Sequence, residues 1–257
     1  MILRFGPLLV AAVGLFASGC ATQRGGDAAL DAPGQPRETL QFFGLRPDMT
    51  VVEVWPGGGS YTEILAPELR KRGHLYAAHF DPSSSEYARR TVDGFRAKLT
   101  ANPELYDKVV VTTLAAPPAA SAIAPPGSAD LVVTFSNLHN WMMFGWQREA
   151  FAAMHAALKP GGVLGVVEHR GDPRKPQDPK AASGYVQEQY AIELIESTGF
   201  KLVGRSELNA NPKDTKDYEK GVWALPPTFA AGAADRARYA AIGASDRFTL
   251  KFVKVAQ

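Results

Sequence analysis

The chain is almost without cysteine: Cys20 is the only one in 257 residues. An intramolecular disulfide is therefore impossible, and a thiolate metal cluster or a cysteine nucleophile in the body of the chain is excluded. Surplus charge is equally scarce. The 28 Lys and Arg against 26 Asp and Glu leave +2, an excess too small to point to nucleic acid as a partner. No apolar run reaches the roughly 20 residues that a membrane-spanning helix needs, and no segment repeats. What remains is ordinary globular composition, 46% hydrophobic and 21% charged. The length suits one α/β domain with a core of its own.

The first twenty residues differ from the rest. Met1 to Arg4 carry a short positive start, Pro7 to Phe16 are almost wholly apolar, and small residues lead to Cys20. This is the three-part layout of a secretory signal. Ala17-Ser18-Gly19-Cys20 resembles a bacterial lipoprotein box, in which the cysteine becomes the lipidated N-terminus; ordinary secretion with cleavage nearby is the alternative. Ala at position 21 favours, by the same resemblance, the outer membrane over the inner one. Residues 21 to 36, rich in Gly, Ala, Pro and polar side chains, read as a flexible tether. The expected organisation is a signal over 1–20, a tether over 21–36 and one domain over 37–257. The expected location is exported and periplasmic, with membrane contact only through a lipid on Cys20.

Within the domain, strand-like and helix-like patterns alternate, the sign of a parallel sheet covered by helices. Strands are expected at Val51–Trp55, Leu75–Phe80, Val109–Thr113, Ala129–Phe135, Val163–Val167, Phe200–Val203 and Phe248–Val255. Helices are expected at Tyr61–Arg72, Ser83–Leu99, Trp146–Leu158 and Tyr185–Thr198. Ser60 and Glu63 have the spacing of a capping box for the first of these. Four prolines between Ala115 and Gly127 argue against a regular helix there. Lys159-Pro160-Gly161-Gly162 reads as a stop and turn. The long stretch from about 209 to 245 is expected to be functional or partly helical.

One turn carries chemistry. Val52-Glu53-Val54-Trp55-Pro56-Gly57-Gly58-Gly59 sits where a strand hands over to a helix. Its glycines let the backbone turn sharply and approach a ligand, beside the unpaired N–H groups of a helix N-terminus. Open α/β sheets hold nucleotides at such a place. The spacing does not fit the Gly-x-Gly-x-x-Gly fingerprint of dinucleotide-binding dehydrogenases.

The segment resembles motif I of class I S-adenosylmethionine (SAM) dependent methyltransferases, with Glu53, Gly57 and Gly59 as matches and Trp55 in the place of the first glycine. Leu158-Lys159-Pro160-Gly161-Gly162 and Ala129-Asp130-Leu131-Val132-Val133 resemble further landmarks of that superfamily. Together with Ala78-His79-Phe80-Asp81, Asn137-Leu138-His139-Asn140-Trp141 and Ser245-Asp246-Arg247-Phe248, they are similar to a family of bacterial proteins predicted to be methyltransferases, many of them exported. The resemblance implies a Rossmann-like fold, with a mostly parallel seven-stranded sheet, helices on both faces and an antiparallel C-terminal strand. It implies SAM as cofactor and methyl transfer to a small-molecule acceptor.

On that reading Glu53, Pro56, Gly57, Gly58, Gly59 and Tyr61 border the methionine end of the cofactor. The superfamily's acidic residue at the end of strand 2 falls on His79, with Asp81 two places on as the ribose ligand. Asn137 and His139 follow strand 4, where the acceptor should lie. His139 is the candidate general base, Asn137 an orienting group, and His169 at the end of strand 5 a second base candidate. His79, His139 and His169 lack the local spacing of a known zinc pattern, so no metal is expected. The alternative to an enzyme is an exported lipoprotein that uses this fold to bind a metabolite without turnover.

Overall fold

The computed structural model describes residues 35–119 and 121–255. The expected signal, Cys20 and nearly all of the tether lie outside the described residues. Seven strands form one sheet in the order β3-β2-β1-β4-β5-β7-β6: β1 Thr50–Val54, β2 His74–His79, β3 Val109–Thr113, β4 Ala129–Phe135, β5 Leu158–His169, β6 Phe200–Ser206 and β7 Arg247–Lys254. The first five are mutually parallel. β7 runs antiparallel between β5 and β6. This is the mixed, mostly parallel sheet with an antiparallel C-terminal strand that the resemblance implies.

Why the strands read as continuous apolar runs is visible in the two cores. On one face Val52, Val54, Val132, Leu164 and Val166 meet α5 (Leu138–Phe144), α6 (Gln147–Ala157) and α7 (Glu188–Glu196). On the other, Val51, Leu131 and Val133 meet α1 (Pro36–Phe43), α2 (Thr62–Leu69) and α4 (Pro103–Tyr106). Strands buried on both faces need apolar residues at successive positions, not alternate ones. α3 (Glu86–Ala101) opens on Ser85, whose hydroxyl accepts from the Ala88 N–H at 3.1 Å.

The structure corrects the sequence reading in several places. α1 was not expected; its Phe43 ring lies where a side chain on Gly165 would stand, and Asn209 ties Thr39 to Thr249. The first expected helix does not open on Ser60. α2 begins at Thr62 after Tyr61 without a side-chain cap, and Glu63 pairs with Lys98 instead. Lys159–Gly162, expected between helix and strand, fall inside β5, looped out between the Ala129–Leu158 and Leu131–Val163 pairs with Gly161 at φ 73°. α7 starts at Glu188, three residues late, because Val186 pairs with Arg170 in extended form. The long connection does contain helix, at Gly221–Ala224 and in α8 (Arg236–Ile242). These pack around a small core of their own, Tyr218, Leu225 and Tyr239.

A candidate cofactor crevice and a buried histidine–glutamate cluster

The order of the sheet reverses between β1, which leads to β2 and β3, and β4, which leads to β5. A ligand crevice opens outside the carboxyl ends of strands at such a switch point. Here a cavity of about 470 Å³ lies there, lined by Trp55, Phe80 and Asp81, by the loop Leu114–Pro117, and by Asn137, Asn140 and Phe144. Its size is that of a small-molecule site. Trp55 (φ 51°), which lines it, and Ser136 (φ 54°), the residue before Asn137, are held in the left-handed region just after β1 and β4. Non-glycine residues there cost on the order of 1–3 kcal/mol each and gather at ligand sites.

The glycine turn itself is bound inward. Gly57 O accepts from His79 Nε2 at 3.1 Å, and Gly58 O accepts from Lys98 Nζ at 2.8 Å. Gly59 has φ 82°, and a Cβ on it would stand 2.8 Å from the Phe95 ring. That glycine makes room for α3. Gly57, Gly58 and Gly59 are thus set by packing, and none of them lines the cavity. In the place of the first motif glycine, Trp55 donates its indole N–H to Leu114 O at 3.1 Å. Its ring meets Phe80, Trp146 and Trp141 edge-on, centroids 4.5, 5.5 and 5.7 Å away.

Other expected ligand residues divide between cavity and core. Asp81 lines the cavity, its carboxylate accepting from the Ser83 N–H and hydroxyl, which hold it below the usual carboxylate range. His79 does not line it. Its Nδ1 accepts from the Phe80 N–H at 2.8 Å while Nε2–H donates to Gly57. Burial lowers this imidazole to about 4, so it is neutral, in the tautomer that those two bonds require. Glu53 is buried and accepts from the Thr62 hydroxyl at 2.6 Å; burial pushes its carboxyl up to about 7. Tyr61 stacks on Phe135, centroids 3.4 Å apart. The Asn137 amide donates to Val54 O at 3.0 Å and to Thr134 Oγ1 at 3.1 Å, fastening β4 to β1 at the crevice floor.

The segment after β4, expected as a loop, is helix α5, and this decides where its residues point. Asn140 and Phe144 turn to the cavity, whereas His139 turns inward. Its Nδ1–H donates to Glu168 Oε1 at 3.0 Å, and its backbone N–H to Oε2 at 3.2 Å. The His169 N–H reaches Oε1 at 2.7 Å, and His169 Nδ1 is bonded to Ser245 Oγ at 2.6 Å. Burial lowers the His169 imidazole to about 3. Neither expected base candidate, His139 or His169, lines the cavity. Sequence reasoning missed Glu168 as the hub of this cluster, and Phe80, Asn140 and the Leu114–Pro117 loop as walls of the cavity. Only Phe80 and Asn140 stood inside recognised motifs.

SAM can be tested against these residues. Phe80 and Leu114 offer apolar walls for a flat ring, Asp81 a carboxylate for paired hydroxyls, and the volume suffices. The residues on this side fit the adenosine half of the cofactor.

No family model matches the sequence. Solved structures do resemble the fold. A SAM-dependent methyltransferase from Aquifex aeolicus superposes with TM-score 0.57 at 16% identity, over 88% of this chain and 95% of that one. The cyclase SpnF gives TM-score 0.57 at 15% identity, over 86% and 80%. A possible exported protein from Bordetella parapertussis gives TM-score 0.51 at 16% identity, over 86% and 66%. At these identities the likeness is one of architecture: the chain has the class I methyltransferase fold.

Proposed function

We propose that the chain is a SAM-dependent methyltransferase that acts on a small acceptor, exported and tethered to a membrane through Cys20. The observation that carries this is the cavity at the switch point of a methyltransferase fold, with Asp81, Phe80 and Asn137 on its walls. SAM supplies a methyl group already activated on a sulfonium. The protein's part is alignment and exclusion of water. Asp81 would take the ribose hydroxyls, and Phe80 and Leu114 would flank the adenine. Asn140, on the cavity side of α5, joins Asn137 as a side chain placed to orient an acceptor, while the base candidate His139 does not line the cavity. The signal-like residues 1–20 support export. No helix among the described residues is long and apolar enough to cross a membrane.

A second reading has its own observation. Trp55 stands where the motif has a glycine, and the turn's carbonyls are bound to His79 and Lys98. Such a site suits a module that binds a metabolite without turnover.

Calorimetric titration with SAM and its demethylated product separates the two. Micromolar binding of both, lost about tenfold or more in Asp81→Asn, supports the methyltransferase. The surface position of Asp81 predicts a stability change within about 0.5 kcal/mol. Absence of binding to either ligand removes the cofactor and leaves the binding module.

A further inference from the structure

The end of β5 carries a cluster that chemistry in the cavity does not use. His139, Glu168 and His169 each offer a ligand atom, and these three atoms lie within 4.8 Å of one another. They are 2%, 0% and 6% exposed. A carboxylate taken wholly out of water must be met by donors or by positive charge. Glu168 has two backbone N–H donors and the His139 ring. A fourth group, His169 Nε2, faces Oε1 at 4.0 Å, beyond hydrogen-bond reach. That ring is held in place, because Ser245 Oγ holds the opposite nitrogen at 2.6 Å. An outer hydrogen bond that sets tautomer and ring direction, with the inner nitrogen facing a carboxylate across a gap, is the arrangement of ligand histidines.

We propose that His139, Glu168 and His169 bind one divalent first-row transition ion, with zinc the best match to two imidazoles and a carboxylate. Bonds of about 2.1 Å in a tetrahedral site place ligand atoms roughly 3.4 Å apart, and the separations here, 3.0 Å and 4.0 Å to Glu168 Oε1, bracket that value. The proton that His139 Nδ1 donates to Glu168 moves to Nε2, so that Nδ1 presents its lone pair. The ion then joins α5 to β5 and, through Ser245, to the segment entering β7. Sequence spacing misses the site because 29 residues separate His139 from Glu168; the fold supplies the proximity. The proposal does not depend on methyl transfer.

The test uses the tag-free full chain, stripped with a chelator and titrated with Co²⁺ and then Zn²⁺. Expected is about one equivalent of Co²⁺, with visible d–d bands of nitrogen and oxygen ligation that Zn²⁺ abolishes. His169→Asn and Glu168→Gln lose this signal. Ser245→Ala, which spares all three ligands, weakens affinity by about 10–100-fold. Cys20→Ser leaves it unchanged, as does substitution of the exposed His74, at the opposite edge of the sheet. Failure of the stripped wild-type chain to take up either ion overturns the proposal. So does an unchanged Co²⁺ spectrum and affinity in His169→Asn. Because the wild-type titration alone can overturn it, a variant that does not fold does not shelter it.

Discussion

Glu53, near the end of β1, and Glu168, near the end of β5, lie under the same edge of the sheet and are equally cut off from water, 1% and 0% exposed. Glu53 meets only Thr62, through its hydroxyl and its backbone N–H, with Lys98 acting electrostatically, and burial prevails: its carboxyl rises to about 7. Burial pushes Glu168 upward too, but the His139 ring, His169 and the His169 backbone N–H outweigh it and hold the group below the ordinary carboxylate range. Depth is the same in both. The number and kind of donors decide the charge. The first carboxyl keeps its proton up to about pH 7 in the motif turn, and the second is an anion at the hub of a polar cluster.

The largest effect expected from breaking this contrast is at Glu168. Glu168→Ala leaves the His139 ring N–H and the buried backbone N–H groups of His139 and His169 without their acceptor and should lower stability by about 3–5 kcal/mol in urea unfolding. A loss under about 1 kcal/mol would mean that the anion does not organise the cluster. Glu53 sharpens the other side. Its folded pKa lies above the unfolded one, so the folded state holds the extra proton. Its stabilising contribution is full below about pH 4.5 and is lost as pH rises towards 7. Glu53→Gln lacks that titration, so its stability relative to wild type should grow by about 3 kcal/mol between pH 4.5 and 7.5. Equal pH profiles would show that Glu53 is ionised in the fold. Gly59→Ala probes the turn more gently. With φ 82° and Phe95 at 2.8 Å, it should cost about 1–3 kcal/mol while leaving SAM affinity intact. A selective loss of affinity would place the turn against the ligand.

Much of the sheet was legible because burial on two faces leaves unbroken apolar runs, as at Ala129–Phe135, where expectation and structure coincide. α5 was not, since Leu138-His139-Asn140-Trp141 is too short and too polar to show a helical period beside a recognised motif. α1 was hidden for a related reason: its Pro36 and Gln35 look like the end of a tether. The site divides the same way. Local pattern located the glycine turn, Asp81 and Asn137. It could not show that the glycines serve α3, that His139 faces away from the cavity, or that Glu168 gathers two histidines. Those are facts of tertiary contact between segments distant in the chain.

The tie of α1 to the sheet has a consequence for placement. Thr39 is bridged through Asn209 to Thr249, the partner of Val167 near the carboxyl end of β5. Phe42 O, further along α1, accepts from Lys251, the partner of Gly165 in mid-strand. The chain therefore enters the domain at the edge where the cavity opens and runs away from it. Some 15 residues separate Cys20 from that entry, a reach of at most about 50 Å when fully extended. A lipid on Cys20 would hold that entry, at the edge of the sheet on which the crevice opens, within that distance of a bilayer.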